Sequence, residues 1–221
     1  MLLAEARWIG KALARVEPEK LSPLLNVGSG TAETREKIQP WIDREIFAPL
    51  RQRGVAIQHL DIQEGEGIDL HGDLYDDAFV ARLGGSGYRS LLCCNVLEHV
   101  ENPAAIAAKL ERIIPVGGYL LFTVPNSYPY HPDPIDTMYR PSLEQFVQLF
   151  PHCNLVEGAV QNCGTGWDFV ERNPLVMFAK VKRRLADRTE HGGTKGTASF
   201  LPWLFKSFKI NCVLLRKERG T

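Results

Sequence analysis

Apolar positions along this chain recur with two different periods. Leu2, Leu3, Ala6, Ile9, Leu13 and Val16 fall at helical spacing and predict an opening helix packed beside the first strand. Short apolar runs then predict strands at 24–28, Val55–Asp61, Ile68–Leu70, Ser90–Asn95 and Tyr119–Val124. Between them, Thr31–Ile38, Trp41–Arg53, 75–83 and 102–114 read as helices. Pro40 stops the first, Gly54 is a C-cap residue for the second, and Pro103 suits the first turn of the last. Tyr119–Val124 is almost continuously apolar, as a strand buried on both faces should be. Strands alternating with helices imply right-handed crossovers and a layered α/β sandwich.

After Pro125 the pattern breaks. Residues 126–141 carry Pro129, Pro132, Pro134 and Pro141 and read as a long loop. Ser142 then caps a helix whose Leu143, Phe146, Val147 and Phe150 form one face. Leu155–Val160 and Phe208–Leu215 predict the last two strands, giving seven in all. The stretch of about 161–207 between them is far longer than a hairpin needs. It holds a basic helix, Leu175–Asp187, a Gly192-Gly193 break and an aromatic segment, Phe200–Phe208. Residues 1–221 are expected to form one domain with this stretch as an insertion, enough to bury about 70% of the unfolded chain's surface.

Composition narrows the picture. Lys plus Arg (26) balances Asp plus Glu (26), so no net charge steers the chain toward nucleic acid. The five cysteines show no zinc spacing, and their odd number favours reduced thiols and a cytoplasmic protein. Residues 1–20 carry charges every few positions, so no secretion signal is read there, and no apolar run approaches the ~20 residues of a membrane span.

The candidate chemistry begins at Leu24-Leu25-Asn26-Val27-Gly28-Ser29-Gly30-Thr31, where an apolar run ends in Gly-x-Gly before a helix. Three further signals follow in order: Asp61 at the end of the second strand, a Gly72-Asp73-Leu74 turn, and Asn95-Val96-Leu97-Glu98-His99-Val100 after the fourth. Over roughly residues 22–150 this order resembles the class I S-adenosylmethionine (SAM) dependent methyltransferases, and the tail after Pro125 resembles those of bacterial glycan and lipid biosynthesis. The resemblance implies a three-layer sandwich around a seven-stranded, mostly parallel sheet whose last strand is antiparallel. It also implies SAM as cofactor and methyl transfer as the activity.

By that resemblance, Gly28 and Gly30, with Ser29 between them, lie against the methionine and ribose portions. Asp61 accepts the two ribose hydroxyls, with Ile62 beside it. Asp73 meets the adenine amino group and Leu74 walls the ring, while Asn95 closes the site and Val96 packs on the cofactor. Two departures stand out: Asn26 occupies a position where the family often has an acid, and Ala32 or Glu33 one where it has a third glycine. Asp61 suits a ribose diol and repels a phosphate, which argues against NADP, and Glu33 fits poorly against a dinucleotide pyrophosphate, which argues against NAD. The plainer alternatives are a tight strand–helix turn at Gly28–Gly30 and a simple Asx turn at Asp73.

The acceptor should lie above the carboxyl ends of strands four and five. Glu98-His99 and the segment Asn126–Arg140 both reach that place. His131 and His99 are the candidate bases; His99 could instead only fix its turn, and His131 could be a solvated loop residue oriented by Asp133 or Asp136. The Pro-interrupted spacing of His131, Asp133 and Asp136 is no metal signature, and no metal is expected. Tyr128, Tyr130 and Tyr139 either stack on a sugar or pack the loop.

The preferred acceptor is a sugar, glycan or glycolipid hydroxyl. A small-molecule N- or C-methyltransferase and a non-catalytic SAM-binding protein are the alternatives. The apolar and basic residues of 175–209 suggest a peripheral contact with an anionic membrane, or else they cover the sheet or a homodimer interface.

Overall fold

The apolar runs assemble into one sheet of seven strands in the order β3-β2-β1-β4-β5-β7-β6. The strands are β1 (Leu24–Val27), β2 (Ile57–Asp61), β3 (Leu70–His71), β4 (Ser90–Cys94), β5 (Tyr119–Ser127), β6 (Cys153–Thr165) and β7 (Ser207–Lys217). This architecture comes from a computed structural model that describes residues 1–131, 135–168 and 201–220. Strands β1 to β5 pair in parallel, and β7 runs antiparallel to both β5 and β6. The expected seven-stranded, mostly parallel sandwich is therefore present. The chain moves outward from β1 to β2 and β3, then returns to β4 on the other side of β1. The carboxyl ends of β1 and β4 thus flank a topological switch point, where open α/β sheets bind ligands.

Alternate residues of each strand face opposite layers. Leu25, Val27, Leu91, Leu120, Phe122 and Val213 point into one core, with α4 (Asp77–Gly84), α5 (Pro103–Ile113), Phe146 and Phe150. Leu24, Leu92, Leu121 and Leu214 point into the other, under α1 (Leu3–Ala14) and the segment carrying Ile42, Ile46, Phe47 and Leu50. α1 also reaches β6 and β7, so it covers more than the first strand. A four-residue helix, α2 (Pro18–Leu21), leads into β1.

Helix starts follow their caps. Asp76 accepts the Ala78 and Phe79 amides, and Asn102 accepts the Ala105 amide ahead of Pro103. Ser142 and Gln145 form a capping box on α6 (Leu143–Val147).

The expected helix Trp41–Arg53 differs in detail. Asp43–Phe47 is a π-helical turn set between α-helical Trp41–Ile42 and Ala48–Gln52 (α3); Thr34–Ile38 is likewise a π-helix. Pro49 has no N–H to give the Glu45 carbonyl in an α-helical register, so the turn widens. That carbonyl lies against Gly10 of α1, where an added Cβ would stand 2.1 Å from the oxygen.

Two strands outrun their sequence bounds. β5 continues past Val124 to Ser127 because β7 pairs with it through a register shift at Pro125, a place in a ladder that tolerates proline. β6 spans Cys153–Thr165 because the long β7 offers it partners from Lys217 to Ser207. The expected helix 175–187, the Gly192-Gly193 break and Phe200 lie outside the described residues.

Candidate active site

Gly28 and Gly30 turn the chain at the end of β1 with φ of +66° and +61°. An L side chain is strained there, and a Cβ on Gly28 would stand 2.3 Å from Cγ2 of Val96. The turn is held from three sides. Ser29 N–H donates to the Leu60 carbonyl at 3.0 Å. Gly30 N–H donates to Asp61 Oδ2 at 2.7 Å, and Gln63 N–H to the other oxygen, Oδ1, at 3.0 Å. Buried Arg35 donates to the Ser29 carbonyl at 3.3 Å, to the Gly30 carbonyl, and to the Gly67 carbonyl at 2.7 Å. Burial lowers the Arg35 pKa, with Glu36 and Asp69 opposing. The guanidinium is thus spent on carbonyl oxygens of two loops.

The other cofactor candidates spread around this turn. Val96 packs over Gly28 and against the larger core. Ile62 follows Asp61 and is 61% exposed. Asp73 Oδ1 accepts the Tyr75 amide at 2.8 Å, an Asx turn, and Leu74 packs on the core while its carbonyl accepts from Lys109. Asn26 is buried on β1 and gives its Nδ2–H to His59 Nδ1 at 3.0 Å. Burial, helped by the Arg35 charge, drives the His59 pKa down to about 4, so its ring is neutral and can accept that bond. Asn95 has φ of 53° and donates from Nδ2 to Glu5 Oε1 at 2.8 Å. Glu5, on α1 and fully buried, also accepts from Thr123 Oγ1 at 2.7 Å. The Asn95 amide is thus committed to α1.

The two acceptor-side segments meet. Thr137 donates its N–H and its Oγ1–H to the Glu98 carbonyl at 2.9 and 3.0 Å. His99 Nδ1–H donates to the Ile135 carbonyl. Asp136 holds the loop: it accepts the His131 and Met138 amides and both amino ends of the Arg140 guanidinium. Burial alone would raise its pKa; Arg140 and the two amides outweigh that and hold it low. His131 Nδ1 lies 3.2 Å from the Pro129 carbonyl and 3.1 Å from Asp136 Oδ2, so Asp136 orients the ring. Asp133 lies outside the described residues.

Both imidazoles turn Nε2 toward one carboxylate. Glu98 Oε1 lies 3.8 Å from His99 Nε2 and 4.0 Å from His131 Nε2. Glu98 is 0% exposed, and among the described residues neither of its oxygens has a hydrogen-bond partner. Burial first, with Glu5 and Asp136 adding, pushes its carboxyl up to about 8. Burial lowers the His131 pKa, partly offset by the Pro129 carbonyl and Asp136, so its Nε2 carries a lone pair at neutral pH. Of the three tyrosines, Tyr139 packs on the core, Tyr128 contacts the His131 and Phe208 rings, and Tyr130 is exposed.

Solved structures share this fold. A coclaurine N-methyltransferase bound to N-methylheliamine and S-adenosylhomocysteine superposes with a TM-score of 0.57 at 13% identity, covering 96% of this chain and 72% of that one. The chain has the class I methyltransferase fold. A Galdieria sulphuraria protein described as a sarcosine dimethylglycine methyltransferase gives 0.55 at 14% identity, covering 98% and 86%. YjhP from E. coli gives 0.54 at 15%, covering 97% and 92%. No protein-family model matches the chain, and no curated protein does. Likeness at such low identity carries the fold, and the chemistry has to be argued from this chain's own residues.

Sequence reading singled out the glycine turn, Asp61 and both loops. It passed over Arg35, His59 and Glu5. No periodicity marks a lone charged or polar residue that the fold buries, and their partners lie on distant segments.

Proposed function

We propose that this chain is a SAM-dependent methyltransferase acting on a hydroxyl of a small-molecule, sugar or glycan acceptor. The observation that carries the reading is the Gly28–Gly30 turn, braced by Arg35 and facing Asp61, at the switch point of a class I methyltransferase fold. Glycines admit a ligand close to the backbone, and a carboxylate at the end of β2 suits a ribose diol. In the reaction, a lone pair of the acceptor oxygen attacks the methyl carbon. The carbon–sulfur bond breaks, its electron pair stays on sulfur, and the hydroxyl proton leaves to His131 Nε2 in the simplest scheme. The enzyme's main task is alignment.

Asp61→Ala is expected to weaken SAM binding by roughly 1.5–3 kcal/mol in isothermal titration, the range for hydrogen bonds to a charged group, while NAD binds neither form. Unchanged SAM affinity in Asp61→Ala would remove the site from this reading. An amine acceptor is the second reading, favoured by likeness to a protein described as a coclaurine N-methyltransferase. Labelled SAM turned over with a cell extract separates them by whether the methylated product is an ether or an amine.

Peripheral contact with an anionic membrane belongs to the same proposal. Phe205 is 79% exposed and stacks on Trp167, while Lys206 lies 4.5 Å over the Trp203 ring. Co-sedimentation with anionic liposomes tests it; protein left in the supernatant at low salt rules it out.

A further inference from the structure

A buried carboxylate with no partner needs an explanation. Among the described residues Glu98 takes no hydrogen bond at either oxygen, although Thr137 satisfies its backbone carbonyl twice. Two imidazole nitrogens lie 3.8 and 4.0 Å from its Oε1, too far for hydrogen bonds. The His99 and His131 rings stand at 84° with centroids 5.1 Å apart, so they do not stack. Each Nδ1 is held from behind, by the Ile135 carbonyl for His99 and by the Pro129 carbonyl and Asp136 for His131. Such support fixes the proton on Nδ1 and turns the Nε2 lone pair inward, as around metal-bound histidines.

We infer that Glu98, His99 and His131 form a binding site for one divalent first-row transition ion, with zinc as its type. The three residues can bring one ligand atom each within 4.8 Å of one another. Metal–ligand distances of about 2.0–2.2 Å place tetrahedral ligand atoms roughly 3.3–3.6 Å apart. Closing from 3.8 and 4.0 Å takes only small side-chain rotations. Two imidazoles and one carboxylate suit zinc and its neighbours better than magnesium or calcium, which prefer oxygen throughout. The imidazole side chains keep 20% and 28% of their surface exposed, which gives an ion a way in and leaves coordination positions open. Three protein ligands with an open position is the pattern of a catalytic rather than a structural site. Because the ligands come from the β4 and β5 loops, the ion would sit where the acceptor is proposed to bind. Its consequence for catalysis rests on that reading: the ion would acidify a bound hydroxyl, whose proton leaves to solvent, and the imidazoles would serve as ligands in place of bases.

The test uses the whole chain, stripped with a chelator and without SAM. Titration with Zn²⁺ and, by its visible absorption, with Co²⁺ is expected to give one ion per chain. Glu98→Gln, His99→Ala and His131→Ala are each expected to weaken binding at least 10-fold, while His71→Ala leaves it unchanged. Electron paramagnetic resonance of the Cu²⁺-loaded parent needs no variant and is expected to show two imidazole nitrogens. The inference is overturned if neither Zn²⁺ nor Co²⁺ binds at about 100 μM, if the parent's spectrum lacks two nitrogens, or if well-folded variants bind as tightly as the parent. SAM is titrated separately on the same preparations. SAM binding without metal binding defeats this inference alone; metal binding without SAM binding defeats the methyltransferase reading and leaves the metal site standing.

Discussion

Arg35 is the residue on which the glycine turn depends most. It gives three hydrogen bonds to carbonyls on two loops, and few other side chains hold a fork in that shape. Arg35→Met would leave those oxygens short of a donor. The expected loss is about 2–4 kcal/mol in urea unfolding, from unpaired buried acceptors, together with weaker SAM binding. Arg35→Lys should recover only part, since an ammonium cannot reach both loops in the same geometry. Equal stability of Arg35→Met and the parent would show that water replaces the guanidinium without cost. At the acceptor side, His131→Ala is expected to lower kcat 10²–10⁴-fold with little change in SAM affinity, the effect of removing a group that acts on the acceptor's proton. A fully active His131→Ala enzyme would take the imidazole out of the mechanism.

Among elements, the contact between α1 and the Asp43–Phe47 π-turn sets two effects against each other. Gly10→Ala should stabilise an isolated helix by about 1 kcal/mol. Here the new Cβ would meet the Glu45 carbonyl at 2.1 Å, a backbone atom that cannot swing aside. Overpacking costs about 1–3 kcal/mol, so a net loss is expected in thermal unfolding. Gly84, in α4, has nothing near its Cβ position, and Gly84→Ala should be neutral or stabilising. If both substitutions raised the melting temperature, the close approach of α1 would be wrong. The same elements mark how far sequence reaches. Strands β1, β4 and β5 were legible because their runs are mostly apolar and stop at Gly28, Asn95 and Pro125, and β2 because its apolar residues lead into Asp61. The π-turns were not, because Pro49 and the packing of Gly10 act across segments that periodicity treats separately. In the site, Gly28, Gly30 and Asp61 stood out by position, whereas the convergence of Glu98 with His131 depends on a loop fold that Asp136, Arg140 and Thr137 fix.

For the molecule as a whole, His59 ties stability to pH. Its folded pKa of about 4 lies below the ordinary 6.5. Above 6.5 neither state holds the proton and the group costs nothing. As pH falls from 6.5 toward 4 the unfolded chain binds a proton that the folded chain refuses, so stability drops, by at most about 3 kcal/mol. Glu98, held at about 8, moves the parent's own curve the other way over this range, so the drop is read as the gap between the parent and His59→Leu. The urea midpoint of the parent should fall relative to that of His59→Leu from pH 7 to pH 4.5. An equally steep dependence in His59→Leu would assign the proton to another group. The position of β7 has a consequence for timing. It lies between β5 and β6, pairing Val213 with both Phe122 and Gly158. Until the ribosome releases residues 207–217, β6 has no neighbour in the sheet, and the apolar edge of β5 stands open to any extended segment nearby. Such late, long-range closure slows folding. In pulsed hydrogen exchange during refolding, amides of β1 and β4 should gain protection before those of β6, and the nascent chain should need shielding for as long as its last strand is still inside the tunnel.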